Sequence, residues 1–137
     1  MNSFDVLTVS SSALEAQRRR MNVIASNLAN AESTRTEEGG PYKRQDVVFS
    51  TMLVGQDQAG MKGVKVADIV TDGKPPRPVY DPGHPDADED GVVLMPNINP
   101  MEEMVNMMMA VRAYEASISA YNTAKTMMLK SLELGRA

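Results

Sequence analysis

The chain has 137 residues, of which 42% are hydrophobic, and this is enough for one folded domain. Its net charge of −4 disfavours nonspecific binding to nucleic acid, and the lack of cysteine excludes disulfides, thiolate metal sites and cysteine nucleophiles. The 12 methionines outnumber the 4 tyrosines and 2 phenylalanines. Because Met side chains adapt to irregular surfaces, this composition favours an interface over a rigid pocket.

The first segment, residues 1–34, is free of Gly and Pro and has an apolar heptad pattern. Leu7, Leu14, Met21 and Leu28 recur every seven residues, and Ile24 lies on the flank of the same face. This spacing predicts a helix of about eight turns.

The middle segment, residues 35–97, holds most of the glycines and prolines. Four short runs are typical of strands, at 46–54, 64–70, 77–80 and 92–95. These runs predict a small β subdomain or an ordered extended arm.

The last segment, residues 98–137, begins with Asn99 as a helix cap and Pro100 at the first helical position. Gly135 stands where a left-handed residue would end the helix. Apolar residues alternate three and four apart between these ends. They are Met104, Met107, Val111, Tyr114, Ile118, Tyr121, Met128 and Leu132, with Lys125 in the same series.

Residues 104–111 are apolar on almost every side of this helix, and Met108 adds to that surface. One companion helix cannot cover it, so other copies or other proteins are expected to do so. The predicted fold is mainly α: long N- and C-terminal helices form a coiled-coil-like pair, with a small irregular or β-rich middle segment. A plain coiled-coil hairpin with a decorative loop is the simpler alternative.

An acidic run at 86–91 places Asp86, Asp88, Asp90 and Gly91 as in the first half of a calcium-binding loop. The twelfth position is Asn97, which cannot supply a bidentate carboxylate, and Pro-rich sequence replaces the incoming helix. An acidic turn is the better interpretation, and a calcium-binding adaptor is the alternative.

The chemistry of an enzyme is not evident in the sequence. His84 is the only histidine, the glycine pair before Pro41 neither follows a strand nor opens a helix, and Glu102 and Glu103 are explained as helix capping. We therefore expect no catalytic residues, no cofactor, no metal and no small-molecule substrate.

The remaining pattern predicts a self-assembling subunit with an apolar assembly interface along both helices. The predicted interface residues are Leu7, Leu14, Met21, Ile24, Leu28, Met104, Met107, Met108, Val111, Tyr114, Ile118, Tyr121, Met128 and Leu132.

Several strings closely resemble the flagellar basal-body rod proteins, and within them the proteins of the proximal rod. The strings are NLANA at 27–31, STRTEEGGPY at 33–42, YDPGHPDAD at 80–88, MPNIN at 95–99, EMV at 103–105 and NTAKTMM at 122–128. The departures are Val92, where an aromatic is usual, and the Met run at 107–109.

The resemblance implies a structural component whose terminal helices form the inner layer of the rod that carries torque from motor to hook. Implied partners are other proximal and distal rod proteins, the MS-ring junction protein, the flagellar type III export apparatus and the rod cap. The implied location is the basal-body rod in the periplasmic space, after export without a cleaved signal peptide. Composition alone indicated a cytoplasmic protein, and the resemblance replaces that interpretation.

Overall fold

The computed structural model describes residues 3–54 and 61–135, which form two long terminal helices with four strands between them in sequence. The elements are α1 (Ser3–Ala29), β1 (Gln45–Val54), β2 (Met61–Thr71), β3 (Arg77–Tyr80), β4 (Val92–Met95) and α2 (Pro100–Leu134). The predicted order of helix, strand-bearing middle and helix is confirmed. Neither helix is long and apolar enough to span a membrane, within the residues described.

The two helices pack against each other in antiparallel fashion. Asn27, close to the end of α1, touches Glu103 in the first turn of α2. Two packed helices that meet at these ends run in opposite directions. Since α1 has 27 residues and α2 has 35, the last two turns of α2 extend beyond the start of α1.

Helix α1 ends at Ala29, before the segment boundary at residue 34, because the chain enters a compact loop. Gly39 and Gly40 have φ of 86° and 76°, a left-handed conformation that glycine adopts without strain. Thr36 N–H donates to the Gly40 carbonyl at 2.9 Å, and Tyr42 N–H donates to the Ser33 carbonyl at 3.0 Å. This loop brings Tyr42 back beside the end of α1.

Strands β1 and β2 form an antiparallel hairpin with a register shift between Val48 and Phe49. The hairpin packs on α1, on whose surface Ser12 Oγ accepts a hydrogen bond from Val64 N–H at 3.1 Å. A Cβ on Gly63 would lie 2.7 Å from the same Oγ. A glycine therefore permits the close approach of β2 to α1.

Strands β3 and β4 form a second antiparallel pair, and the acidic turn lies between them. Gly91 has φ of 75°, and a Cβ there would lie 3.0 Å from Pro82 Cβ. Val93 and Pro96 are buried. This pair leads directly into α2.

The start of α2 is as predicted, because the Asn99 side chain accepts from Met101 N–H at 3.0 Å and Pro100 opens the helix. The expectation of a left-handed glycine at its end is wrong. Gly135 has φ of −76°, and its N–H donates to the Ser131 carbonyl at 3.1 Å, so the chain continues the helical conformation through this residue.

Candidate assembly surface

One side of α2 packs on α1, and we call it the covered face. Among the helices and strands described, only α1 contacts α2. Asn106 and Ala113 are half-buried. Eight further buried or half-buried positions are spaced alternately four and three residues apart, which is the repeat of a helix packed along one neighbour. They are Glu103, Met107, Ala110, Tyr114, Ser117, Tyr121, Ala124 and Met128.

The other side of α2 presents large apolar side chains to solvent, and we call it the open face. Its members are Met101, Met104, Val105, Met108, Met109, Val111 and Ile118, all of them exposed. Met108, for example, is 58% exposed. An isolated exposed Met or Leu is ordinary, but several such side chains on one side of a helix are typical of a surface that another molecule covers.

The structure divides the predicted interface residues into two groups. Those of α1, namely Leu7, Leu14, Met21, Ile24 and Leu28, are buried or half-buried within the chain. On α2, Met107, Tyr114, Tyr121 and Met128 belong to the covered face. The exposed members are Met104, Met108, Val111, Ile118 and Leu132. The chain itself therefore covers much of the predicted set and leaves the second group available to a partner.

The end of α2 that extends past α1 is also exposed. Leu129, Leu132 and Leu134 are 52%, 57% and 81% exposed. This part of the helix has no neighbouring helix within the described chain, so its apolar side chains add to the uncovered surface.

A buried polar cluster joins α1, β1 and α2 at the opposite end of the helix pair. Asn27 Nδ2 donates to the Gln45 carbonyl at 2.8 Å and to Glu103 Oε2 at 3.0 Å. Asn27 Oδ1 accepts from Gln45 N–H at 2.9 Å and from Tyr42 Oη at 3.1 Å. Arg44 Nε donates to Glu103 Oε1 at 2.8 Å. Asn27 is 0% and Glu103 1% exposed, so each depends on these partners.

Burial and the charges of the cluster shift the pKa values of Tyr42 and Arg44. Burial, and after it the negative charge of Glu103, raise the pKa of the Tyr42 phenol. For Arg44, burial acts to lower the pKa, but the hydrogen bond and charge of Glu103, together with Asp46, raise it above its ordinary value. Arg44 is therefore held charged against the Glu103 carboxylate.

The sequence interpretation of Glu103 as a capping residue was wrong, since its side chain pairs with Arg44 rather than with the helix start. The local sequence gave little signal for this contact, because Arg20 lies seven residues before Asn27 and Ala110 seven after Glu103, so neither residue interrupts a row of large apolar side chains.

The acidic turn uses its carboxylates as structural acceptors. Asp88 Oδ1 accepts from Val92 N–H at 2.8 Å and from Asp90 N–H at 3.0 Å. Thr34 Oγ1 donates to Asp86 Oδ2 at 2.8 Å, which fastens the turn to the segment after α1. Within residues 3–54 and 61–135, no group of three or more His, Cys, Asp or Glu side chains is placed to hold a metal ion.

Comparison with known proteins gives matches at both helices and along the whole chain. A family model described as flagella basal body rod protein matches residues 7–35, and one described as flagellar basal body rod FlgEFG protein C-terminal matches residues 89–134. The flagellar basal-body rod protein FlgC of Escherichia coli O6:H1 is 47% identical over 136 residues, covering 99% of this chain and 98% of the relative. The FlgC proteins of Salmonella typhimurium and Bacillus subtilis are 47% and 41% identical, covering 99% of this chain and 98% and 100% of those relatives.

The chain belongs to the FlgC family of flagellar basal-body rod proteins. The two rod models include almost all of both helices, so the covered face, the open face and both Asn27 and Glu103 lie in segments that match rod proteins. The segment between the models contains the β1–β2 hairpin and β3, and the FlgC relatives align across it as well.

Proposed function

We propose that this FlgC-family chain is a structural subunit of the proximal part of the flagellar rod, where it self-assembles with other rod proteins and transmits torque from motor to hook. Family membership makes it a structural rod subunit of the basal body. The open face of α2 is the observation that supports assembly through the helices. The role is mechanical, and we assign no catalysis to the chain.

The energetics of the open face favour burial against neighbouring subunits. Met104, Met108 and Ile118 are 44%, 58% and 38% exposed in the single chain. Fully burying one such side chain stabilises by about 1.5 to 3 kcal/mol relative to full exposure. A contact that covers several of these partly exposed side chains therefore supplies a substantial driving force, after the cost of ordering is subtracted.

The packing within the chain supports a stiff building block. The covered positions of α2 recur four and three residues apart, and α1 carries its own heptad row, so we infer a coiled-coil-like pair. Close-packed interiors have low compressibility and spread load over many contacts. Such a pair, joined to its neighbours through the open face, suits the transfer of torque.

The proposed partners follow from the family. Other proximal and distal rod proteins would cover the open face and the extended end of α2, and the MS-ring junction protein would meet the rod at its base. The type III export apparatus and the rod cap would act during export and assembly. The proposed location is the rod in the periplasmic space, reached without a cleaved signal peptide.

The test is a charge placed on the open face of an otherwise intact subunit. We expect Met104→Asp combined with Met108→Asp to abolish rod formation and motility, because both carboxylates would have to be buried at the interface. The monomer should keep its stability, since both side chains are exposed. Secretion of the subunit should also be unchanged.

The matched control is Asn122→Asp, which places a carboxylate of the same shape as the native amide on an exposed polar position of the same helix. It should leave motility intact. Normal basal bodies in cells that carry the double variant would refute the assignment of the open face.

A further inference from the structure

The contacts between α1 and α2 repeat along both helices, so apolar packing alone does not define one axial position. On α1, Leu7, Leu14 and Met21 recur every seven residues. On α2, the half-buried large residues do the same, and the small residues between them also recur every seven. The large set is Met107, Tyr114, Tyr121 and Met128, and the small set is Ala110, Ser117 and Ala124.

Sliding α2 by one heptad moves it by about 10 Å and brings a similar residue to each site on α1. Large side chains again meet large ones, and small meet small. The apolar energy of the two positions therefore differs little. A helix pair of this kind needs some other feature to select a single register.

The buried polar cluster occurs at one point only in this repeat. At that point Glu103 occupies a position in the covered face that Ala110, Ser117 and Ala124 occupy in the following heptads. If α2 slid by a heptad, the carboxylate would leave both Arg44 and Asn27, and an alanine or solvent would take its place beside them. Buried polar groups without partners are strongly disfavoured.

The cluster also ties the register of the helices to the hairpin. Asn27 bonds both the N–H and the carbonyl of Gln45, the first residue of β1, and Arg44 immediately precedes that strand. The same two side chains, Asn27 and Arg44, hold Glu103. One displacement of α2 therefore breaks contacts to two other segments.

We propose that Asn27, Arg44 and Glu103 are positioning residues that select one axial register of α2 against α1 and the β1–β2 hairpin. The selected register sets the axial position of the open face in the assembled rod. The use of the open face rests on the proposed function, while the register selection is a property of the single chain. A buried polar residue that fixes the register of paired helices, at some cost in stability, is a known device in coiled coils.

The decisive variant replaces all three side chains with apolar ones of similar size: Asn27→Leu, Arg44→Met and Glu103→Leu. Apolar replacement of Arg44 together with Glu103 is often close to neutral, but Asn27→Leu leaves the Gln45 main chain and the Tyr42 hydroxyl without their partner. This variant is therefore expected to stay folded with a somewhat lower unfolding midpoint. If the cluster only stabilised the fold, nothing else would change. If it selects the register, the helix pair becomes heterogeneous.

The register is measured by a spin-label distance between the helices of the full chain in dilute solution. The sequence has no cysteine, so labels on Asn22→Cys and Asn122→Cys, two exposed positions on α1 and α2, are the only labels present. The native background should give one narrow distance distribution. The triple variant should give an additional population in which α2 is displaced axially by about 10 Å. The unlabelled triple variant should fail to restore motility to cells that lack the native chain.

A single unshifted distance and normal rods in the triple variant would overturn the proposal. Should that variant not fold, Glu103→Gln retains the side-chain shape and removes only the charge that faces Arg44. It should broaden the distance distribution, and one narrow unshifted distance with normal rods would again overturn the proposal.

The two proposals fail separately. Normal rods from the open-face variant Met104→Asp with Met108→Asp, together with a shifted distance in the triple variant, would refute the proposed interface and keep the register selection. Loss of rods in the open-face variant with an unshifted distance in the triple variant would keep the proposed interface and refute the register selection.

Discussion

The covered and open faces of α2 belong to one helix but differ in the size of their side chains. The covered face alternates large residues such as Tyr114 with small ones such as Ala110 and Ser117, and Ala110 is 0% exposed. The open face has Met104, Val111 or Ile118 at the corresponding alternate positions. Small residues let α1 approach closely, and large flexible ones leave a surface that adapts to a partner. Side-chain size, more than hydrophobicity, thus separates internal packing from the proposed assembly contact.

The largest expected difference between the faces is at two neighbouring residues. Met107 is half-buried against α1, and Met108 is 58% exposed. Met107→Asp should lower the free energy of unfolding by about 3 kcal/mol, because it buries a charge without a partner. Met108→Asp should change it by less than about 0.5 kcal/mol. Urea unfolding of the two variants checks this, and equal effects would remove the distinction between the faces.

Overpacking tests the covered face alone. Ala110→Leu inserts a large side chain where none fits and should cost about 1 to 3 kcal/mol. Ala120→Leu makes the same change at an exposed position of α2 and should be close to neutral. Thermal unfolding followed by circular dichroism measures both. If Ala110→Leu were as stable as the control, the close approach of the helices at this point would be disproved.

The helix cap affects both faces together, since the first turn carries Met101 and Glu103. Asn99→Ala removes the acceptor for Met101 N–H and should cost about 1 kcal/mol. Asn99→Asp retains an acceptor at the same position and should restore most of the stability. Denaturant titration compares the three proteins, and a neutral Asn99→Ala would show that the cap contributes nothing.

The smallest effect concerns Tyr42 and appears at alkaline pH. Its raised pKa means that the unfolded chain loses the phenol proton first, near its ordinary pKa of about 10, while the folded chain keeps it. The folded state then binds more protons, so stability falls as pH rises above about 10. Tyr42→Phe should cost roughly 0.5 to 1.5 kcal/mol at neutral pH through the lost bond to Asn27.

The variant should also lose less stability than the native chain as pH rises. Denaturant unfolding at pH 7 and in steps through pH 11 tests both parts. If the stability of the two proteins declined in parallel as pH rose, Tyr42 would not be the group responsible for the pH dependence.

The elements of the fold were largely predictable from local sequence. The alternation of apolar and polar residues, with Gly and Pro between the runs, located β3 and β4 at the observed residues, and β1 and β2 within a few residues. The Asn99–Pro100 start of α2 was predictable because a cap needs only adjacent residues. The end of α1 was placed too late, since the loop through Gly39 and Gly40 is closed by main-chain hydrogen bonds that composition does not reveal.

It was harder to predict from sequence which face of α2 packs against α1, for a physical reason. Met107, Tyr114, Tyr121 and Met128 fit two heptad rows, one completed by Val111 and Ile118, the other by Ala110 and Ser117. Hydrophobicity selects the first row, but the second permits closer packing with α1. The cluster of Asn27, Arg44 and Glu103 was missed because its members lie 59 and 76 residues apart in sequence.

The hydrogen-bonded cluster stands at only one end of the helix pair, so resistance to local opening should be graded along α2. Near Glu103 the helix is tied to Asn27 of α1 and to Arg44, the residue before β1, by hydrogen bonds to the buried Glu103 carboxylate. Towards Leu134 it projects past α1 with its side chains in solvent. Amide hydrogens in the last turns should therefore exchange first, with exchange advancing towards residue 103 only through rarer openings. The subunit thus combines an anchored end with a compliant one, which can adjust to its neighbour without loss of the anchored geometry.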